Sequence, residues 1–368
     1  MSAPSGSPEG SRPATDPGLL PPFACTYSPE LPELLLRLGC SLALTTYQSG
    51  KVILLSPRAG GLTQLPRTFE RAMGLAAEDG RLAVATRAEV VVLANCPELA
   101  PGHPRRPGVY DALFLPRSVC FTGPLDLHDL AWGAGGRLYA VNTLCSCLAL
   151  IDDRASFTPV WRPPFVSRLS PDDRCHLNGL AVEGGRPRYV TAFAPSDEPE
   201  GWRAQRLTGG IVIDVESGEI VLSGLAMPHS PRLAGGELYL LASARGEVLR
   251  ADPQRGTWEV VAALPGFVRG LAAYGDYLFV GLSKPRPDHQ TLGGLASSHT
   301  GEPFCGLVCL HRATGRIVAE LRYLATCEEI YDVQVLPGIS RPGLLSPSDP
   351  LLPRALAAPG LALWGRGD

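Results

Sequence analysis

One short strand pattern returns six times along this chain: LALTTY (42–47), LAVATR (82–87), LYAVNT (138–143), RYVTAF (188–193), LYLLAS (238–243) and LFVGLS (278–283). Ahead of five of them stands a second element ending in Gly-Leu-Ala or a variant of it. These are RAMGLA (71–76), DLHDLA (126–131), HLNGLA (176–181), HSPRLA (229–234) and FVRGLA (267–272). A Gly- or Asp-bearing turn joins the two elements, so each unit reads as a β-hairpin. The units recur at intervals of roughly fifty residues, the spacing of four-stranded propeller blades.

Two orphan halves settle the blade count. LALTTY lacks its preceding element, and EIYDVQV (329–335) is that element without its partner strand. Joined, they make one blade whose innermost strand comes from the C-terminal end and whose outer strands come from the N-terminal end. Such a blade closes a ring and removes exposed sheet edges. The expected fold is therefore all-β: a six-bladed β-propeller over residues 23–338, with one helix near SPELPELLLRLG (28–39). Residues 1–22 are Pro-, Ser- and Gly-rich and read as a disordered leader, and the Pro-rich 339–368 reads as a loose tail.

Composition narrows the classes of function. Hydrophobic residues are 45% and charged residues 19% of the 368, which suits a large folded core rather than global disorder. Net charge is −3 with no Lys/Arg block, so no nucleic-acid footprint is expected. No apolar run approaches the roughly 20 residues that cross a bilayer. The leader has no apolar segment of the secretory type, so a cytoplasmic chain is expected, its ten cysteines reduced and mostly buried. Cys145 and Cys147 flank Ser146 on what reads as one strand face, the arrangement of a vicinal redox pair or a soft-metal site.

In a propeller the first strand of each blade lines the channel and starts at one face, and the second strand ends at that face. Aligned on the position before Leu-Ala, the first strands carry Gly74, Asp129, Gly179, Arg232, Gly270 and Asp332. Three residues earlier stand Arg71, Asp126, His176, His229, Phe267 and Glu329. One residue earlier stand Met73, His128, Asn178, Pro231, Arg269 and Tyr331. Positions two apart share a strand face. Unpaired polar groups are costly to bury, so this set satisfies itself or meets a ligand. Second-strand ends add Tyr47, Arg87, Asn142 and Lys284 to the same mouth.

Two chemistries follow from this set. His128, His176, His229 and Asn178 are candidate ligands of one divalent metal ion, which would polarise a carbonyl or activate water. Alternatively a histidine is a general base and Tyr331 or Tyr47 a proton donor, with His128, Asp126 and Glu329 in acid/base roles. In both, Arg71, Arg87, Arg269 and Lys284 form a cationic side that would hold a small anion, helped by Tyr47 and Asn142.

Through YQSGK, FERAMGLA, DLHDLAWG, VNTLCSCLALID, DRCHLNGLA, MPHSPR and LFVGLSKPR, the chain resembles a mostly bacterial family catalogued as a domain of unknown function, from about residue 40 to 338. More remotely it is similar to the six-bladed gluconolactonase, strictosidine synthase-like and NHL propellers. Gluconolactonase-like members hold a divalent cation with Glu, Asn and Asp, which by resemblance points to Asn178 and Glu329. The histidines depart from that oxygen-rich set and favour a transition metal or metal-free acid/base chemistry over calcium. The expected function is a hydrolase- or lyase-type enzyme acting on a small anionic metabolite at the channel mouth. The alternative is a non-catalytic propeller that binds a ligand or protein there.

Overall fold

In a computed structural model, residues 20–284 and 301–366 are described. Six antiparallel four-stranded sheets make up the body of these residues. Their innermost strands are Asp332–Pro337, Leu75–Glu78, Leu127–Gly133, Leu177–Glu183, Pro228–Ala234 and Phe267–Tyr274, here blades one to six, and they contact one another in a closed ring. The closing blade pairs Cys40–Thr46 with Asp332–Pro337, Thr45 lying opposite Asp332 and Cys40 opposite Pro337. Cys25–Tyr27 adds a fifth, outer strand to blade six. The helix Glu30–Leu38 then carries the chain across to blade one. It buries Leu31, Leu34 and Leu35 among Leu42, Ile53 and Leu307, and ends at Gly39 in the left-handed conformation.

The tail departs from expectation. Instead of hanging loose, Pro342–Leu344 pairs in parallel with Ala112–Phe114 of blade two, and Ala355–Ala358 and Leu361–Trp364 form a hairpin. Leu345, Leu351 and Ala355 share a core cluster with Leu99, Leu113 and Leu115, and Trp364 Nε1 donates to the Leu99 carbonyl at 3.0 Å. The prolines break regular strands without preventing burial of the leucines between them. The expected leader lies, up to residue 19, outside the described residues.

The repeat alignment is also corrected in blade five. There Arg232 pairs with Tyr239, whereas in blade three the partner of Tyr139 is Ala131. Counted from the hairpin, His229 is therefore the counterpart of His128, Met227 that of Asp126, and Ser230 that of Asp129. The Leu-Ala pair of blade five sits two residues nearer its turn. A two-residue slip leaves every side chain on its original face, so the polarity pattern hides it.

Across the channel, Arg232 of blade five reaches Asp129 of blade three with two hydrogen bonds, 2.8 and 3.1 Å, and lies 3.5 Å from Asp332 of blade one. The two carboxylates also accept backbone amides of the next blades: Asp129 from Leu180 at 3.0 Å, Asp332 from Leu75 at 2.9 Å. Small residues permit this approach. A Cβ on Gly74 would stand 2.9 Å from Asp129 Cα, and one on Gly270 (φ +77°) 2.8 Å from Asp332 Cα. Burial pushes the Asp332 carboxyl up to about 7 against the pull of Arg232. Removing one partner of a buried charge network strands the others, so Arg232→Ala should lower unfolding free energy by about 3–5 kcal/mol in denaturant titration. Arg250→Ala, which breaks exposed pairs with Glu237 and Glu259, should stay within about 1 kcal/mol. Equal effects of the two variants would remove the network from its central place.

Candidate functional site

The mouth above this network is shaped by unusual backbone. Innermost strands of blades three to six each shift register near their start: between Leu127 and Leu130, Leu177 and Gly179, His229 and Arg232, and Val268 and Leu271. Such bulges re-aim side chains. At the residue that opens blades two to five, Arg71, Asp126, His176 and Met227 all take left-handed conformations, with φ between 49° and 55°. That region is uncommon for residues other than glycine, and it recurs here at one register position.

Three histidines meet in this mouth. The His128 and His176 ring centroids are 4.8 Å apart, and those of His128 and His229 are 6.5 Å apart with nearly parallel planes. Each ring is anchored through Nδ1. His128 Nδ1 faces the Asp126 carbonyl at 3.0 Å and Thr143 Oγ1 at 2.8 Å. His229 Nδ1 repeats this two blades on, with the Met227 carbonyl at 3.1 Å and Ser243 Oγ at 2.8 Å. Carbonyl oxygens only accept, so both Nδ1 atoms carry hydrogen and both Nε2 atoms keep a lone pair. His176 Nδ1 meets Asp173 Oδ2 at 2.7 Å, an oxygen that also accepts from Trp202 Nε1 at 2.9 Å. Phe193 and Trp202 each lie 4.3 Å from the His176 ring, and Phe267 stands 5.7 Å from His229.

Beside the histidines lies a cationic corner. The Arg269 guanidinium lies 3.3 Å over the Tyr331 ring and 3.8 Å from Glu329, while its Nη2 has no hydrogen-bond partner. The Tyr331 hydroxyl is likewise buried without a partner, and burial raises its pKa, so it stays protonated. Tyr47 stacks on Tyr331 at 5.9 Å, and Arg71 covers Tyr47 at 5.6 Å on the outer rim. Burial lowers the His128 pKa to about 4, with Asp126 opposing and Arg269 adding to the fall. Burial and then Arg269 push His229 well below its ordinary value. Both are neutral imidazoles at neutral pH.

Residues 29–345 match the family described as Domain of unknown function (DUF4915). The chain belongs to that family. No curated protein matches it. Among solved structures, a chain of a nidogen/laminin complex is similar at 10% identity and TM-score 0.54, over 81% of this chain and 99% of that one. This likeness speaks for the fold alone. Two others align at TM-scores of 0.45 and 0.38: a protein of unknown function from Bacteroides caccae, and a catalytically inactive histidine-to-alanine virginiamycin B lyase from Staphylococcus aureus with quinupristin. Identities are 11% and 10%, with coverages of 81% and 98% for the first and 77% and 76% for the second.

In this family member the expected site residues divide. His128, His176, His229, Arg269, Glu329, Tyr331 and Tyr47 come together, with Arg71 at their rim. Asn142 is next to them, its Oδ1 accepting from the Cys145 amide and its Nδ2 buried without a partner. Asp126 is largely exposed, its carboxylate 3.6 Å from His128. Arg87 pairs with Glu70 on the surface, and Lys284 is exposed where the described segment ends. The expected metal set does not assemble. Asn178 spends its amide on Thr191 and on the His176 carbonyl. Among the described residues, no three His, Cys, Asp or Glu side chains are placed to hold a metal ion. Cys145 lies in the turn 143–146 and Cys147 on the next strand, so they share no strand face.

Sequence reading missed Asp173, Ser243 and Phe193. Ser243 was legible as the repeat counterpart of Thr143. Asp173 was not, because it comes from the loop before the strand. The charge pattern sets a test. The His128 ring resonances should titrate in NMR with a midpoint of about 4. Because Arg269 disfavours the protonated ring, Arg269→Met should move the His128 and His229 midpoints upward. Ordinary midpoints near 6.5 in the unmodified protein would contradict the electrostatics described here.

Proposed function

We propose that this mouth binds a small anionic metabolite and moves a proton on it, in a hydrolase- or lyase-type reaction. The observation that carries this reading is the histidine trio: three imidazoles from blades three, four and five, each held by Nδ1, beside a half-buried arginine whose buried Nη2 is unused. A purely structural cluster would not need so many polar groups drawn out of water.

The roles follow from the partners. Arg269, oriented by Glu329, takes the anionic group, with Arg71 at the rim steering it inward. His176 is the general base, since the Asp173 carboxyl group holds its ring through Nδ1 and leaves Nε2 to take a proton. His128 and His229 have lowered pKa values and are poorer bases; through Nε2 they accept hydrogen bonds from substrate or an attacking water. The Tyr331 hydroxyl donates to the oxygen on which charge develops. Phe193, Trp202 and Phe267 keep water from the histidines. No step requires Asp126, which stays at the rim. The ten free thiols, eight of them buried, fit a chain residing in the reducing cytoplasm, which fractionation of cells expressing the full chain would check.

A panel of small carboxylates and phosphate esters, read first by thermal shift, tests the proposal. At least one should raise Tm in the unmodified protein and not in Arg269→Met. With that ligand, His176→Gln should retain binding and lose product formation by about 10²–10⁴-fold. A ligand bound and recovered unchanged by the unmodified protein would identify a binding propeller instead. Identical shifts in Arg269→Met would move the anion site elsewhere.

A further inference from the structure

We propose that Cys305 and Cys327 are a reversible redox pair, closed to a disulfide by hydrogen peroxide, that clamps the segment completing the ring. Their sulfurs lie 3.6 Å apart. Among the ten described thiols this is the pair joined by a thiol–thiol hydrogen bond. The inference stands apart from the reaction proposed for the channel mouth.

The surroundings hold the two sulfurs in place. Cys305 precedes the strand Gly306–His311, and its carbonyl accepts the Tyr323 amide at 2.8 Å. Cys327 lies in the connection from the outer strand Ile317–Tyr323 of blade six to Asp332–Pro337 of blade one. The residue before it, Thr326, takes φ of 72°, a left-handed conformation rare for a β-branched side chain. Two contacts from the N-terminal part of the chain keep it there. The Phe23 amide donates to Thr326 Oγ1 at 3.3 Å, and Ser49 Oγ donates to the Thr326 carbonyl at 2.7 Å. A disulfide needs sulfurs about 2.05 Å apart. Forming the bond needs a further approach of roughly 1.5 Å.

The chemistry balances with peroxide as oxidant. Cys327, 4% exposed where Cys305 is fully enclosed, is the first to meet it. The Cys327 sulfur attacks one peroxide oxygen, the O–O bond breaks, and the released hydroxide leaves as water with the thiol proton. The Cys305 sulfur then attacks the sulfenic sulfur, the S–O bond breaks, and a second water leaves with the Cys305 proton. Two thiols are oxidised and one peroxide is reduced to two waters. Burial raises the Cys305 pKa, which keeps that thiol protonated and unreactive by itself. Cellular thiols reverse the bond by exchange. Because Cys327 is two residues from Glu329 and four from Tyr331, closing the bond ties the segment that carries these partners of Arg269 to blade six.

Full-length reduced protein is treated with hydrogen peroxide, alkylated under denaturing conditions, and digested without reductant for mass spectrometry. The expected product is one peptide pair linked through Cys305 and Cys327, an intact mass lower by two hydrogens, and a Tm higher by about 5 °C. Dithiothreitol should return both values. Cys327→Ser and Cys305→Ala should each abolish the cross-link and the Tm rise, whereas Cys145→Ser should keep them. Full alkylation of both residues after peroxide, a cross-link through other cysteines, or Cys327 ending as sulfinic acid without a cross-link would each overturn the proposal.

Discussion

Arg232 ties three alternate blades together across the channel, and most other features lie around that contact. Its partners Asp129 and Asp332 follow directly after His128 and Tyr331, so the network forms the floor on which the polar mouth stands. Arg232 offsets the carboxylate charge where both aspartates are buried, and an unpaired charge there would be costly. Asp332 opens the strand that closes the ring, so Arg232 also ties the closing blade into the network. Ser230 repeats the pattern more weakly in blade five, accepting the Gly270 amide at 3.1 Å.

Above that floor, a second principle operates: polar atoms are anchored on one side and left unused on the other. Thr143 and Ser243, at one position of blades three and five, hold His128 and His229 by the same nitrogen. The loop residue Asp173 does this for His176. The differing partners separate the histidines chemically. His176 has the Asp173 carboxyl group at Nδ1, whereas burial, with Arg269 adding to it, keeps His128 and His229 neutral. Other clefts occur elsewhere, including one of about 490 Å³ at the opposite end of the channel, lined by Glu78, Arg81, Gln334 and Tyr274. It has no comparable group of anchored histidines, so size alone does not locate the chemistry.

Much of this was readable beforehand, for physical reasons that differ by element. The hairpin repeat and its split blade were legible because strand alternation and turn residues are local. The convergence of His128, His176 and His229 followed once the ring was assumed. The blade-five register was not legible, because a slip of two residues preserves the apolar pattern and shows only in cross-strand pairing. The packed tail was missed because proline-rich composition conceals leucines spaced for burial. The engagement of Asn178 was not legible, because its amide oxygen accepts from Thr191 on the neighbouring strand, a contact that residue type does not announce.

What the sequence determined by itself was the six-bladed ring, its closure between distant ends, and the collection of polar residues at one mouth. All three rest on periodicity and on the cost of burying unpaired polar groups. Only the tertiary structure decided which nitrogen of each histidine is engaged, and that Arg232 belongs to the floor rather than the mouth. It alone also brought the Cys305 and Cys327 thiols into contact. Those outcomes depend on distances between blades, and no pattern along one chain encodes them residue by residue.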